Sequence, residues 1–172
     1  MEDELRGNTL ADYFEHVQWK VSFAELAPSG VEPLGHTLPL KEESFSMSEL
    51  TDALKALAVG KAAGHDDVAP ELWKILLDSK TAMESLLELC KTCWVDREIP
   101  EQWRIASVVL LFKKGDATLP ANYRPISLFP VGCKVLARML QNRLQNGGVE
   151  SRLRSTQYGF RPKRSTCLLY TS

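Results

Sequence analysis

Apolar positions predict four helices in the chain. Hydrophobic residues recur at intervals of three and four in "SMSELTDALKALAVG", "APELWKILLDS", "TAMESLLELCKTCWVD" and "VGCKVLARMLQNRLQNGG", the spacing of one helix face. Ser46 and Glu49 predict a capping box for the first helix, and Gly60 is the expected stop. Pro70 suits the first turn of the second helix, and Gly147 and Gly148 end the fourth. The predicted buried stripes are Leu50, Leu54 and Leu57; Leu72, Ile75 and Leu76; Met83, Leu87, Cys90 and Trp94; and Val131, Val135, Leu136, Met139 and Leu140.

The N-terminal region predicts one further helix and a linker. In "TLADYFEHVQW" the residues Leu10, Tyr13, Phe14 and Val17 follow helical spacing,. The following "APSGVEPLGHTLPL" is rich in proline and glycine, which is typical of a linker. We therefore predict an N-terminal extension and linker over residues 1–44 and a second domain over residues 45–172.

Between the third and fourth helices the period changes to that of strands. "IASVVLLF", residues 105–112, is a β-branched apolar run of strand length,. "KKGDATLPAN" supplies turn residues. "YRPISLF" is a second strand, which Pro125 confines to an edge or a strand start. The predicted fold class is therefore α+β, mainly helical with one β-hairpin.

Two cations flank the turn of this hairpin. Lys113 ends the first predicted strand and Arg124 begins the second, so their side chains can converge beyond the sheet. An ammonium beside a planar guanidinium suits a phosphate group. The alternative is a pair of exposed turn charges that keep the hairpin soluble, and the spacing alone leaves both interpretations open.

The net charge of −1 conceals a division of charge. Residues 1–90 carry 7 Lys and Arg against 17 Asp and Glu, whereas residues 91–172 carry 14 against 5. In "RLRSTQYGFRPKRST", residues 152–166, cations alternate with Tyr158 and Phe160, a combination that can follow a phosphate backbone and stack on bases. The excess of positive charge in residues 91–172 indicates either an anionic partner or a solvated basic face.

Other patterns exclude several classes of function. No apolar run is long enough to span a membrane, and the N-terminus lacks the apolar core of a signal peptide. The four scattered cysteines favour a reducing, intracellular compartment, cytoplasmic or nuclear,. Cys90 and Cys93 lie within a predicted helix, which favours core positions over a metal or redox motif. Asp66 and Asp67 are expected to serve the start of the next helix rather than a metal.

Four segments, in order, resemble a known family. "GKAAGHDDVAPELWK", "IPEQWRIASVVLLFKKGD", "NYRPISL" followed by a lysine-containing helix, and "QYGFRPKRST" resemble the fingers half of the reverse transcriptase of non-LTR (LINE-type) retrotransposons. The likeness covers roughly residues 45–166, and "YFEHV" resembles the segment that precedes this domain. The resemblance implies that the chain forms the fingers, with an incomplete palm, of a right-hand polymerase, and that it is part of an RNA-directed DNA polymerase.

The resemblance also implies partners and site residues. RNA template, DNA primer and a dNTP are the expected partners, with Lys113 and Arg124 on the triphosphate. Gln157, Phe160 and Arg161 would lie near the template, and with Lys163 and Arg164 they form the predicted nucleic-acid-binding set.

Departures from the family pattern limit the expected activity. Ala63, His65 and Asp67 stand where the family usually has more proline and glycine, and the final "CLLYTS" does not continue the pattern. Nothing matches the palm aspartates that hold two metal ions, so we expect no catalytic residue, no metal site and no polymerase activity in this chain alone, although Mg²⁺ is expected in the full-length enzyme. Two alternatives remain open: a nucleic-acid-binding module without polymerase ancestry, and a structural interaction domain.

Overall fold

The structure, a computed structural model, describes residues 2–18, 38–159, 161 and 164. These residues form two units. The first contains the N-terminal helix and residues 107–128, and the second contains residues 38–106 and those from 129 onward. Most of the predicted linker lies outside the described residues.

Helices dominate the described part of the chain, and two strands form an antiparallel hairpin. The α+β prediction, mainly helical with one hairpin, is confirmed. None of the described helices combines the length and the apolar character needed to cross a membrane. The elements are α1 (Glu2–Tyr13), a π-helical turn (Phe14–Gln18), α2 (Met47–Lys55), α3 (Pro70–Ile75), α4 (Lys80–Asp96), α5 (Glu101–Arg104), β1 (Ser107–Phe112), β2 (Tyr123–Leu128) and α6 (Val131–Asn146), with 3₁₀ turns at Leu76–Asp78, Pro120–Asn122 and Val149–Arg152.

The core of the second unit is formed by one face each of α2, α4 and α6. The stripes predicted for these helices are confirmed, with Leu57, Trp94 and Leu140 at the edge of the core rather than fully buried. Burial raises the pKa of the Cys90 thiol to about 12, so this cysteine is a neutral core residue, as predicted,. The fully buried members include Leu50, Leu54, Cys90, Val131, Val135 and Met139.

Helix starts were predicted better than helix ends. Ser46 caps α2 with the full capping box, and Pro70 occupies the first turn of α3. The predicted stop at Gly60 is wrong, because α2 ends at Lys55. Gly60 instead has a φ of 66° in the following loop, and its N–H donates to a carboxylate oxygen of Glu71 at 2.5 Å.

Two predicted buried stripes are partly wrong, because the helices there change their winding. Leu72 and Ile75 are 55% and 60% exposed, since α3 tightens into a 3₁₀ turn at Leu76,. Leu76 packs on the core as predicted, together with Trp73 and Leu77. In the N-terminal helix Phe14 is buried, but Val17 is 63% exposed. The wider π-helical turn that begins at Phe14 moves Val17 off the stripe,.

Gly132 allows two tryptophans to approach the start of α6. A Cβ atom at this position would overlap the ring of Trp103 and would lie 2.8 Å from Cη2 of Trp73. Trp103 is buried and comes from α5, the short helix before the hairpin. A glycine is therefore required here by space rather than by backbone conformation, since Gly132 lies within a regular helix.

The second unit contains one buried cation among its described residues, Arg143 of α6, which is 6% exposed. Its Nε and one terminal nitrogen donate to the two carboxylate oxygens of Glu49 at 2.7 and 3.1 Å. The remaining N–H groups donate to the backbone carbonyls of Lys41, Glu43 and Ser44 at 2.7–3.2 Å. All five donors of the guanidinium are thus used, which is the condition for burying this charge at low cost.

Glu49→Gln should destabilise the second unit strongly. Arg143 would keep its charge in a buried site without a carboxylate partner, and breaking such a pair costs about 3–5 kcal/mol. Chemical denaturation at neutral pH measures the loss. The matched control is Glu84→Gln, whose exposed pair with Lys80 at 3.8 Å should contribute below about 0.5 kcal/mol,.

The same pair predicts a pH dependence. The hydrogen bond from Arg143, with further bonds from Ser46, lowers the pKa of Glu49 from 4.5 to about 2. Because the folded value is the lower one, the stabilisation is complete above pH 4.5 and is lost as the pH falls toward 2. The difference in the free energy of unfolding between the native chain and Glu49→Gln should become smaller between pH 4.5 and pH 2. A difference that stays constant would contradict the lowered pKa of Glu49.

Gly132→Ala should destabilise the chain by about 1–3 kcal/mol, because the new methyl group overpacks against rigid indole rings. Denaturation followed by tryptophan fluorescence measures this. Gly7 in α1 is the control, since a Cβ there meets nothing within 4 Å. Gly7→Ala should be neutral or slightly stabilising, and an equal cost for both variants would rule out the packing argument.

Candidate nucleotide and nucleic-acid site

The register of the hairpin decides where its two cations lie. Leu111 is paired with Arg124, and Phe112 with Tyr123. The ladder continues one step further, because the N–H of Lys113 donates to the carbonyl of Asn122 at 2.8 Å. Residues directly opposite each other share a face, as do residues two apart on one strand. Lys113 and Arg124 therefore lie on the same face of the hairpin as diagonal neighbours, a position in which Cβ atoms are about 7–8 Å apart.

Both cations are available for a ligand. Lys113 and Arg124 are exposed. Within the part of the chain that the structure describes, neither side chain makes a hydrogen bond or an ion pair. The hairpin thus holds two uncompensated positive groups side by side at its end, an arrangement that can bind an anion of phosphate type.

The connecting loop folds back on the residues that precede Arg124. The side-chain amide of Asn122 donates to the carbonyl of Asp116 at 2.8 Å, and the hydroxyl of Tyr123 donates to the carbonyl of Ala117 at 2.9 Å. Gly115 turns the chain with a φ of 93°, a conformation that favours glycine,. Asn122 and Tyr123 of the "NYR" sequence therefore shape the loop, whereas Arg124 stays free of it.

The single carboxylate of this loop does not neutralise the cations. The Asp116 side chain accepts hydrogen bonds from the backbone N–H and the hydroxyl of Thr118 at 2.8 and 2.7 Å. These two bonds, the backbone one first, lower the pKa of Asp116. Its charge is used to close the turn, so the loop can carry an acid next to two cations without forming a salt bridge to either.

The hairpin gains little stability from its own apolar contacts. The rings of Phe112 and Tyr123 contact each other in a tilted arrangement with centroids 5.5 Å apart, but Val109, Leu111 and Ile126 are each at least 40% exposed. An isolated two-stranded sheet is marginally stable in water. The hydrogen bonds of the loop therefore add to the contacts that hold the tip in place.

The predicted nucleic-acid-binding residues have different roles in the structure. Gln157 is exposed and donates to the carbonyl of Gly159 at 3.1 Å. The guanidinium of Arg164 lies 5.5 Å from the ring centroid of Tyr158, which combines a cation with an aromatic face,. Phe160 and Lys163 lie outside the described residues.

Arg161 makes contacts within the chain that stabilise the fold. It forms an ion pair with Glu150 at 2.6 Å and also donates to the carbonyls of Arg154 and Gln157. Only 9% of its side chain is exposed. Arg161 therefore positions the segment from 150 to 157, and among the described members of this set Gln157 and Arg164 are exposed.

A metal centre is not formed by the described residues. No three His, Cys, Asp or Glu side chains among them lie close enough together to hold a metal ion. Asp66 accepts the N–H of Val68 at 3.4 Å, just before α3. The described residues therefore do not fit the two Mg²⁺ ions expected in the full-length enzyme.

Comparison with known proteins identifies similar sequences, although no protein-family model matches the chain. The chain is 31% identical over 163 residues, 92% of its length, to a probable RNA-directed DNA polymerase from transposon BS of Drosophila melanogaster. It is 30% identical over 71% of its length to the Pol polyprotein of a type-1 retrotransposable element R1 of Bradysia coprophila, and 27% identical over 78% to the RNA-directed DNA polymerase from mobile element jockey of Drosophila melanogaster. The chain spans only 18%, 12% and 14% of these relatives.

Asn122→Ala should loosen the loop without unfolding the second unit. The change removes the bond to the Asp116 carbonyl, a net loss of about 1 kcal/mol. The backbone amides of Thr118 and Leu119 should then exchange with solvent several-fold faster, which NMR measures. Ser127→Ala, at an exposed position of β2, is the control and should leave both rates unchanged. Equal rates in all three proteins would mean that Asn122 does not hold the loop.

Proposed function

This chain belongs, as one segment, to the reverse transcriptases of non-LTR retrotransposons, and we propose that it forms the fingers of such a polymerase. In this proposal the segment binds the template–primer and the phosphates of the incoming dNTP, inside the cell. The likeness to polymerases over 92% of the chain does not favour the alternatives of an unrelated nucleic-acid-binding module or a structural interaction domain.

One observation carries the nucleotide part of the proposal. The register brings Lys113 and Arg124 to the same face of the hairpin, exposed and without a described partner. A guanidinium can bind two phosphate oxygens at once, whereas an ammonium acts as a point charge. Cations that are already in place when charge shifts on the transferring phosphate lower the barrier. Arg124 would orient the triphosphate, and Lys113 would add charge stabilisation.

The loop explains how the tip can be preorganised. Asn122 and Tyr123 hold residues 116–117 by hydrogen bonds to backbone carbonyls, so the start of β2 has a defined path. Arg124 follows directly and is paired with Leu111 in the ladder. A cation on a fixed strand loses less conformational freedom on binding than one on a mobile loop, which favours the ligand.

Exposed groups of the segment 157–164 supply the proposed contact to nucleic acid. Gln157 offers an amide, and Arg164 with Tyr158 offers a cation beside a ring on which a base can stack,. Arg161 acts as a positioning residue through its pair with Glu150. The metal-dependent step belongs to other parts of such a polymerase, and the segment contributes substrate binding.

Arg124→Ala should impair nucleotide use in a full-length polymerase that contains this segment. Removal of a charge-assisted contact that strengthens in the transition state lowers kcat/KM for the dNTP by roughly 10²- to 10³-fold. Affinity for the template–primer should stay nearly unchanged, and Arg124→Lys should recover only part of the loss. Steady-state primer extension and a separate template–primer titration measure the two quantities.

Lys113→Ala should give a milder loss of the same kind, and Lys114→Ala is the control, one residue further into the loop. If Arg124→Ala left nucleotide kinetics intact and lowered only the melting temperature, the side chain would be structural. The hairpin would then have no role in nucleotide binding.

A further inference from the structure

The outer face of α6 carries a row of four polar side chains. Lys134, Arg138, Gln141 and Gln145 follow one another at intervals of four, three and four residues, which places them on one face of a helix,. Arg138, Gln141 and Gln145 are exposed, and Lys134 is half-buried. The row runs over about 16 Å at the rise of an α-helix.

No acidic residue of helix α6 neutralises the cations of this row. Helix α6 contains three cations and no Asp or Glu. Arg143 lies on the opposite side, where Glu49 and three backbone carbonyls use all its donors. Lys134 and Arg138 therefore give the outer face a charge that the helix itself does not compensate.

The donors of the row are largely unused. The ammonium of Lys134 makes one long bond, 3.5 Å to the carbonyl of Ala62, which leaves two of its three N–H groups for other partners,. Within the described part of the chain, Arg138, Gln141 and Gln145 make no side-chain hydrogen bond or ion pair. The amides of the two glutamines are donors as well, so every member of the row can bind an anionic oxygen.

We propose that this row binds consecutive phosphates along one strand of the nucleic acid. A straight row of about 16 Å is long enough to reach several neighbouring phosphates of one strand before that strand turns away around the duplex axis. Two cations and two amides contact phosphate oxygens and no base, so the row positions the nucleic acid and does not read its sequence. The inference rests on the proposed function, because it supposes that the chain binds a template–primer.

The composition of the row favours a nucleic acid over a protein partner. Protein interfaces have a core of aromatic and apolar anchors with few charges. The row contains no such anchor, since its members are polar throughout, and the exposed apolar residues beside it are the small Ala137 and a single leucine, Leu144. Regularly spaced cations and amides on a rigid helix fit the repeating charge of a phosphate backbone instead.

The test compares two charge-matched double variants of the chain. Lys134→Gln with Arg138→Gln removes the cations of the row, whereas Lys55→Gln with Lys80→Gln removes two exposed cations from α2 and α4. The probe is a fluorescent RNA–DNA hybrid of about 20 base pairs, titrated over a range of salt concentrations. The α6 variant should bind about tenfold or more weakly at moderate salt, with a salt slope shallower by about 1–2. The control should change affinity less than about threefold.

The outcomes separate this inference from the function on which it rests. If the native chain does not bind the hybrid at all, both the row and the proposed function are overturned. Binding that falls equally in the two double variants reflects total charge and overturns the row alone. Binding that depends on Arg164 but not on Lys134 and Arg138 likewise overturns the row and leaves the proposed function intact.

Cross-linking of the native chain gives a second readout that does not depend on how the variants fold. A hybrid whose RNA strand contains phosphorothioates that carry an azidophenacyl group, which places the photoreactive group on the backbone, is irradiated with the native protein, and the cross-linked peptides are mapped. Cross-links within residues 134–146 support the proposal. Cross-links confined to residues 152–164 contradict it.

Discussion

The second unit depends on the burial of one positive charge. The guanidinium of Arg143 lies 4.2 Å from the ring centroid of Phe45 and 5.2 Å from that of Trp94, and it binds Glu49 with both carboxylate oxygens. A buried guanidinium is tolerated only when its donors are satisfied. This constraint fixes the path of residues 41–44, whose carbonyls must point at Arg143. It also fixes the first turn of α2, because Glu49 is shared between Arg143 and the capping box of Ser46.

The orientation of α6 follows from the same interaction. A helix whose buried side is determined by Arg143, Met139 and Val135 has no freedom to rotate about its axis. Its opposite side must then present Lys134, Arg138 and the two glutamines to solvent. One packing arrangement thus has two consequences. It buries Arg143 on one side of α6, and it turns the row that contains Lys134 and Arg138 toward solvent on the other side.

Periodicity predicted the regular elements well and failed where the winding changed. Helices α2, α4 and α6 follow from apolar spacing, because their buried faces are continuous. Both strands follow from β-branched apolar runs separated by turn residues, although no strand residue is fully buried,. The exposed positions of Leu72 and Val17 do not follow, since a 3₁₀ turn and a π-helical turn shift the faces by a fraction of a turn. Arg143 was also missed, because an arginine in an amphipathic helix is ordinarily exposed. The available signal was its position four residues after Met139 and seven after Leu136, within the buried stripe.

The sequence predicted which residues form the candidate site and what chemistry they offer, but it did not predict how they are arranged. The sequence indicated that Lys113 and Arg124 flank one turn, but their shared face depends on a register that the loop length alone does not define,. The roles of Asn122 and Tyr123 in holding the loop required the three-dimensional path of residues 115–117. The structure further divides the arginines by their partners. Arg143 and Arg161 are paired with carboxylates and hold the fold, whereas Arg124 and Arg138 are exposed and lack a described carboxylate partner. Arg97, Arg104 and Arg154 share this exposure, so exposure alone does not select a site. An unpaired exposed cation contributes little to folding, and the two proposals assign Arg124 and Arg138 to phosphate ligands because of their neighbours on the hairpin and on α6.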